Sequence, residues 1–558
     1  MSEEQSRKPA ENVAGPSQET AEGSAGPSKS ALKKQAKEEE KARKAAERKR
    51  KEDEAKAAKD AAESVDISSG NYGVLPLHQS QDDTPKEPLK RLVTVGSEDV
   101  GKTVLFRARL ASLRQQGNKL LFCEFRQSLV SIQGLLELNE NKEGKPLVSK
   151  QMMKACSSIT LESLVLVEGV IQAVEKPIQA TTIKNFEVHI SKFWTAISIA
   201  PLPIQMDAAS RSEEDAGEGE TKLVTIGLDT RLNNRVIDLR TTTNQAIFRI
   251  RSGVKHLFRE YLDARGFVEF ETPKLQGAMT ESGASVFKVT YFERSAFLAQ
   301  SPQLAKQMIV SGDFDRMYEI GPVFRAENSW GPRHMTEFTG MDIEMAIDHH
   351  YHEVVSLLED LLIFIFHELN KRFGGPSGEI EWVRKQWPSE PFVVPEKAVR
   401  LRFSEGIRML REAGREVDEL EDLSTEDEKL LGRLVKERYN TDFFVLDKFP
   451  LKIRPFYTMP DPHDERYSNS YDFFMRGQEI LSGAQRVHDP ELLKHRMSLV
   501  DPPIDPSIMQ DYVNAFEYGA PPHAGAGLGL DRIVQFFLNL PNIRLATPFP
   551  RDPGRIAP

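Results

Sequence analysis

The stretch Arg316-Met-Tyr-Glu-Ile-Gly-Pro-Val-Phe-Arg-Ala-Glu-Asn-Ser-Trp-Gly-Pro-Arg-His-Met-Thr-Glu-Phe-Thr-Gly-Met-Asp-Ile-Glu-Met345 decides how this chain folds. Two alternating segments flank a polar loop near 327–335, the pattern of a long antiparallel hairpin. Successive side chains of a strand point to opposite faces. Met341, Ile343 and Met345 therefore share one face, and Phe338, Gly340, Asp342 and Glu344 share the other. The first face asks for a core. A solvated second face would explain the carboxylates, but less well the phenylalanine beside them. That face is expected to line a site.

The segments around this hairpin ask for an anion. Pro521-Pro-His-Ala-Gly-Ala-Gly-Leu-Gly-Leu-Asp-Arg532 runs into an apolar helix at 533–538. Its glycines let backbone approach a ligand closely. An arginine in the first turn of a helix opposes the helix dipole unless an anion sits there, so Arg532 asks for a phosphate. Upstream, a helix around 250–266 leads into the strand-like Phe267-Val-Glu-Phe-Glu-Thr-Pro-Lys274, where Pro273 favours a sheet edge. Helical stretches near 244–265, 351–373 and 425–438 alternate with strand-like ones, so this large region reads as α+β.

Toward the N-terminus the pattern shortens. Strand-like runs at 104–110, 120–125, 130–136, 164–171 and 186–190 suit an OB-fold β-barrel, a common binder of single-stranded nucleic acid. Residues 1–30 are rich in Ser, Gly, Pro, Glu and Ala, and are expected to be disordered. In the 31–63 segment Lys34, Lys37, Lys41, Lys44, Arg48 and Lys51 recur at steps of three and four, one stripe of a helix. No apolar stripe accompanies them. Such a helix is either a solvated charged rod or a sequence-blind phosphate-binding arm. The expected layout is a disordered tail and Lys-rich helical extension over 1–90 and a barrel over 91–203. A hinge over 204–235, acidic at its start, then leads into the α+β domain of 236–558.

Composition narrows the class. The 558 residues are 28% charged and 39% hydrophobic with net charge −10. That is too long for one core and not globally basic, so any RNA contact must use local positive surface. No apolar run approaches the roughly 20 residues a bilayer requires. Glu3 and Glu4 argue against an acid-poor transit peptide, and the cytosol is the expected compartment. The two cysteines, Cys123 and Cys156, read as buried thiols. His349, His350 and His352 lack zinc spacing and read as exposed histidines at a helix start, so no zinc is expected.

These segments resemble the three signature motifs of the class II aminoacyl-tRNA synthetases. Phe-Arg-Ala-Glu of 324–327 and Arg-His-Met-Thr-Glu-Phe of 333–338 resemble the aspartyl branch, nearest its cytosolic eukaryotic members. The resemblance runs from about 91 to 558. It implies an OB-fold anticodon-binding barrel followed by a catalytic antiparallel sheet flanked by helices. It also implies that Arg325 grips the α-phosphate of ATP and Arg532 the terminal phosphates. Phe338 would stack on adenine, while Glu327, Arg333, His334, Met335, Glu479 and Gly529 complete the ATP site. Asp531 stands where the family usually has Glu.

The same resemblance assigns the amino-acid pocket. Lys306 and Arg486 would hold the β-carboxylate of aspartate, with Ser482 beside them. Glu281 and Asp342 would meet its α-ammonium, assisted by Gln303. Asp472 and Glu479 would hold Mg²⁺ on the ATP phosphates. In a regular strand Glu479 and Ser482 would face opposite sides; a bulge at Gly483 or a helix start there would reconcile them. Arg114, Phe122, Gln133 and Glu187 match anticodon-reading positions, and the Lys-rich arm becomes a tRNA-binding arm. The 250–274 segment, with Pro273, implies a homodimer interface. The implied activity is aspartate–tRNA ligation. Its rivals are asparaginyl-tRNA synthesis, for which a neutral amide does not require both Lys306 and Arg486, and a non-catalytic synthetase-like RNA-binding protein, which should have lost Arg325 or Arg532.

Overall fold

The computed structural model describes residues 43–44, 47–51, 66–78, 80, 83–84, 86–140, 143–217, 222–277 and 286–558. The expected tail, Lys34, Lys37, Lys41 and Glu281 lie outside the described residues. Lys44, Arg48 and Lys51 are helical and exposed.

Alternating apolar residues build the barrel. Its strands are β1 (Tyr72–Val74), β2 (Thr103–Gln116), β3 (Leu120–Gln127), β4 (Val130–Glu137), β5 (Leu164–Ala173) and β6 (Phe186–Ile197). They pair in the order β1-β6-β4-β3-β2-β5, and β5 also pairs with β6, which closes the ring. The five expected strands are present. Residues 72–74, inside the extension expected over 1–90, instead supply β1, which runs parallel to β6. Inside, the Phe125 ring packs edge-on against Phe106 and Phe193 at 5.5 and 5.6 Å. Cys123 and Cys156 are buried free thiols.

The second domain is built on an eight-stranded sheet ordered β13-β14-β15-β16-β17-β12-β11-β7. Its members are β7 (Val268–Glu269), β11 (Arg316–Phe324), β12 (Glu337–Ala346), β13 (Val399–Arg402), β14 (Phe443–Asp447), β15 (Ser470–Met475), β16 (Gln478–Gln485) and β17 (His523–Gly529). A small separate sheet holds β8 (Leu275–Gln276), β9 (Lys288–Tyr291) and β10 (Arg294–Leu298). The expected hairpin is β11–β12, antiparallel from Arg316 opposite Met345 to Phe324 opposite Glu337.

Two long helices cover one face of this sheet, and the Phe403–Glu412 and Thr425–Tyr439 helices cover Phe444, Leu446 and Phe474 at one end of the other. The Thr242–Asp263 helix starts at Thr241, whose side chain accepts from the Asn244 amide. Its apolar stripe of Ile247, Ile250, Val254, Leu257 and Phe258 packs with the His352–Phe373 helix and with Met341, Ile343 and Met345 of β12. The hairpin's carboxylate face is thereby turned to the other side. Part of the segment read as hinge is folded. Arg231 and Arg235 are buried and share Asp238 at 2.7 and 2.5 Å, and Arg235 also donates to the carbonyls of Thr547 and Pro548. His352 is not simply exposed: its Nε2 lies 2.8 Å from Asp447 Oδ2. Among the described residues no helix is long and apolar enough to cross a membrane.

Candidate active site

A cleft opens where β11, β12, β16 and β17 meet the start of the Leu530–Phe537 helix. Arg325, Glu327, Arg333, His334, Met335, Phe338, Glu479, Gly529 and Arg532, all expected around ATP, line it together with Asp342. The Arg325 guanidinium lies 5.6 Å from the centre of the Phe338 ring, and Arg532 Nη1 donates to the Glu479 carbonyl at 3.1 Å. One wall is thus cationic and aromatic, suited to phosphate and a flat base. Burial, reinforced by Arg532 and Arg333, pushes the His334 pKa down, so its imidazole is neutral at pH 7. Arg333 is tethered: it donates to Glu428 Oε2 and to Thr425 Oγ1, each at 2.6 Å. Both partners belong to the Thr425–Tyr439 helix. Burial pushes the Glu428 pKa up to about 7 against the pull of Arg333.

The floor is a buried charge network. Lys306, in the Gln303–Ser311 helix, donates to Asp342 Oδ1 at 3.0 Å and to the Ala526 carbonyl at 3.2 Å, and lies 3.3 Å from Glu344 Oε2. Arg486 grips Glu344 with Nε and Nη2 at 2.9 and 3.2 Å. Burial works to raise the Glu344 pKa, but Arg486 and Lys306 outweigh it and hold the carboxyl below its usual range. At Asp342 burial wins over Lys306, and its carboxyl is pushed up. The amide nitrogen of Gln303 is buried with no hydrogen-bond partner among the described residues. β17 makes room for these carboxylates. A Cβ on Gly525 would lie 2.1 Å from Glu344 Oε2, and one on Gly527 would lie 3.1 Å from Asp342 Oδ1.

The expected bulge exists at another residue. Ser482 pairs with Asp472 and Leu481 with Phe473, but Glu479 pairs with Phe474, so the extra residue is Ile480, not Gly483. Directly paired residues share a face, so Asp472, Ser482 and Glu479 all point the same way. Arg454 joins them, donating to Asp472 Oδ2 at 2.8 Å and to Ser482 Oγ at 3.0 Å. Burial, with Glu479 adding to it, pushes the Asp472 carboxyl above its usual range. Beneath Arg532, buried Asp531 accepts from Arg251 at 2.6 Å and from the Thr339 amide at 2.9 Å. This joins the Thr242–Asp263 helix to both strand and glycine-rich turn.

On the barrel, Arg114 stands opposite Phe122 and Gln133 opposite Glu187. The Arg114 guanidinium lies 4.8 Å from the Phe122 ring centre, and Gln133 donates to Glu187 at 2.8 Å. A hydrogen bond from His189, with Gln133 assisting, holds the Glu187 carboxyl below its usual range against partial burial. The four thus form one polar and aromatic patch on neighbouring strands.

The sheet, the glycine-rich turn before Arg532 and the cationic, aromatic cleft define a class II tRNA synthetase. The family described as tRNA synthetases class II (D, K and N) matches residues 227–553. The cytoplasmic aspartate–tRNA ligase of Bos taurus is 50% identical over 500 residues, which are 89% of this chain and 96% of that protein. The structure of an aspartyl-tRNA synthetase from Entamoeba histolytica superposes with a TM-score of 0.78 at 42% identity, covering 88% of this chain and 96% of the other. The asparaginyl-tRNA synthetase of Pyrococcus horikoshii, complexed with asparaginyl-adenylate, gives 0.70 at 27% identity, covering 84% of this chain and all of that one, 100%. The chain belongs to the class II tRNA synthetases and, within them, to the aspartate–tRNA ligases.

Proposed function

We propose that this chain activates L-aspartate with ATP and transfers it to the 3′ end of tRNA-Asp. The supporting observation is the pair of buried cations, Lys306 and Arg486, whose charge network reaches through Asp342 into a cleft that also carries Arg325, Phe338 and Arg532. Glu344 is shared between the two cations, so with Asp342 turned to the α-ammonium one positive charge is left over; an aspartate β-carboxylate meets it and a neutral asparagine amide does not. Asp342 sits beside Lys306 as an acceptor for the α-ammonium, and the unspent Gln303 donor is left for substrate.

In the first step the α-carboxylate of aspartate attacks the α-phosphorus of ATP, the bond to the bridging oxygen breaks, and pyrophosphate leaves. Arg325 stabilises the charge that develops on the α-phosphate, and Arg532 the charge on the leaving group. Phe338 holds the adenine by stacking. In the second step the terminal ribose hydroxyl of tRNA attacks the acyl carbon of the mixed anhydride, and AMP leaves. The substrate carboxylate is the first nucleophile, so the protein's work is positioning and charge stabilisation.

The residues present fit Mg²⁺. Asp472 Oδ1 is buried with no hydrogen-bond partner among the described residues, and Glu479 shares its face. Two hard oxygen donors suit this ion, which takes its remaining ligands from phosphate oxygens and water. Asp472 and Glu479 would hold it, and when bound it neutralises phosphate charge. The barrel patch of Arg114, Phe122, Gln133 and Glu187 reads the anticodon by stacking and edge contacts, and the Lys-rich arm adds phosphate attraction. A homodimer through the 250–274 segment suits the exposed edge strand β7, whose Val268 is 45% exposed. The named cytoplasmic relatives favour the cytoplasm for this chain too.

The test is ATP–pyrophosphate exchange, with aspartate and asparagine each supplied alone. Exchange with aspartate and not asparagine supports the reading. Exchange with asparagine only would reverse it, and tRNA binding without any exchange would favour a non-catalytic role.

A further inference from the structure

An unassigned concentration of charge lies at the seam between barrel and catalytic domain. A cavity of about 620 Å³ is lined by Arg91, Arg107, Arg109, Arg126 and Arg240, with no acidic residue among the described residues that line it. Arg107 and Arg109 come from β2 and Arg126 from β3. Arg240 comes from the catalytic side, next to the cap of the Thr242–Asp263 helix. One buried carboxylate stands behind them. Glu162 accepts from Arg126 at 2.5 Å and lies 3.5 Å from Arg240. It does not neutralise the cluster, because one carboxylate faces three guanidiniums: Arg126 at 2.5 Å, Arg240 at 3.5 Å and Arg109 at 4.0 Å. Burial and the nearby Arg240 and Arg126 lower the Arg109 pKa, the mark of crowded cations short of counter-charge.

The geometry of β2 gives this cluster a direction. Arg109 pairs with Arg126 and Leu110 with Phe125, but Ser112 pairs with Glu124, so Ala111 is an extra residue. Without that bulge Arg107 and Arg109 would face the opposite side from Arg114. With it, Arg107, Arg109, Ser112 and Arg114 all share the outer face. The cavity therefore lies along the same surface as the Arg114–Phe122 patch, about 20 Å away at ~3.3 Å per residue.

We propose that this arginine cavity holds backbone phosphates of the RNA whose bases meet Phe122, clamping them between barrel and catalytic domain. Guanidinium forks match phosphate oxygens in pairs. The lining offers little for base recognition, so the contact is sequence-blind and salt-sensitive. This rests on the reading that the chain binds tRNA.

The test uses the full chain with Arg91→Gln and Arg107→Gln together; both side chains are exposed. tRNA affinity is measured by filter binding across a salt series. The double variant should bind roughly ten-fold more weakly near 0.1 M salt. The slope of log affinity against log salt should be shallower by about 1.4–1.8, since each lost phosphate contact removes roughly 0.7–0.9. The same factor should be lost with a tRNA of altered anticodon, and Arg91→Lys with Arg107→Lys should restore most of the slope. Aspartate-dependent exchange, which needs no tRNA, checks the fold. Unchanged affinity and slope in the double variant, while Phe122→Ala weakens binding, would overturn the cavity but keep the tRNA reading. Failure of the wild type to bind tRNA saturably would overturn both. Pyrophosphate is the second probe. If it binds the wild type saturably and the double variant not at all, while tRNA affinity stays the same, the site serves free phosphate compounds and the RNA assignment falls.

Discussion

At the floor of the catalytic cleft Lys306 and Arg486 are 0% and 4% exposed, and carboxylates of β12 hold both. On the outer face of the barrel Arg114 is exposed and rests against the Phe122 ring. Both regions are proposed to meet anions, and the contrast shows what each must do. A small substrate that must be told from its amide needs donors fixed before it arrives, and fixing charge inside a protein requires partners. A flexible RNA strand is met by surfaces that stack and adjust, with charge left in water. Loss of one group should therefore be costly on the floor and mild on the barrel.

The sharpest way to stress that contrast is at the rim of the cleft. Arg325→Ala removes the guanidinium assigned to the α-phosphate. We expect kcat/KM in ATP–pyrophosphate exchange to fall by about 10³-fold, in line with losing one transition-state donor, with little change in thermal stability. Near-normal exchange would remove Arg325 from the chemistry. The floor comes next. Glu344→Gln leaves Arg486 and Lys306 without their shared carboxylate, so urea unfolding should show a loss of about 3 kcal/mol. The kcat/KM for aspartate should fall while the KM for ATP holds. A variant as stable as the wild type would mean that the network does not organise the floor. On the barrel, Phe122→Ala should cost tRNA affinity about 1–2 kcal/mol through lost stacking, leaving aspartate-dependent exchange untouched. A loss as large as that at Arg325 would erase the contrast.

These differences also mark what the sequence could say. The two faces of β12 were readable from Phe338 to Met345, because alternation along a strand is local. Arg532 was readable because an arginine beside a helix N-terminus is a local electrostatic misfit. The resemblance added Lys306 and Arg486, but not what holds them. Glu344 meets Lys306 and Arg486 only after distant segments fold together, and it was legible merely as a residue on the right face. Arg454, Thr425 and Glu428 come from segments with no signal tying them to the cleft. The bulge in β16 was inferred from a conflict of faces, yet nothing local distinguishes Ile480 from Gly483; the extra residue is fixed by pairing with β15. The His189 contact to Glu187 was likewise hidden, although the two residues are neighbours on one strand face.

The smallest expected effect tests whether rim charges are as firmly fixed as floor charges. Arg333 leans away to Glu428, whose pKa burial pushes up to about 7. The folded value lies above the ordinary carboxylate one, so the folded state holds more proton between the two. The stability cost of the charged form is full above the folded value and fades as pH falls below it. Over the same fall Glu428 loses its charge and its hold on Arg333, which can then turn to a phosphate. The KM for ATP in the wild type should therefore drop about two- to three-fold between pH 8 and 6, a modest effect befitting one partly screened pair. Glu428→Gln should remove this component at every pH, and comparing variant with wild type cancels the titration of ATP itself. If the two profiles run parallel, the Arg333–Glu428 tether has no bearing on nucleotide binding. The rim would then be as fixed as the floor.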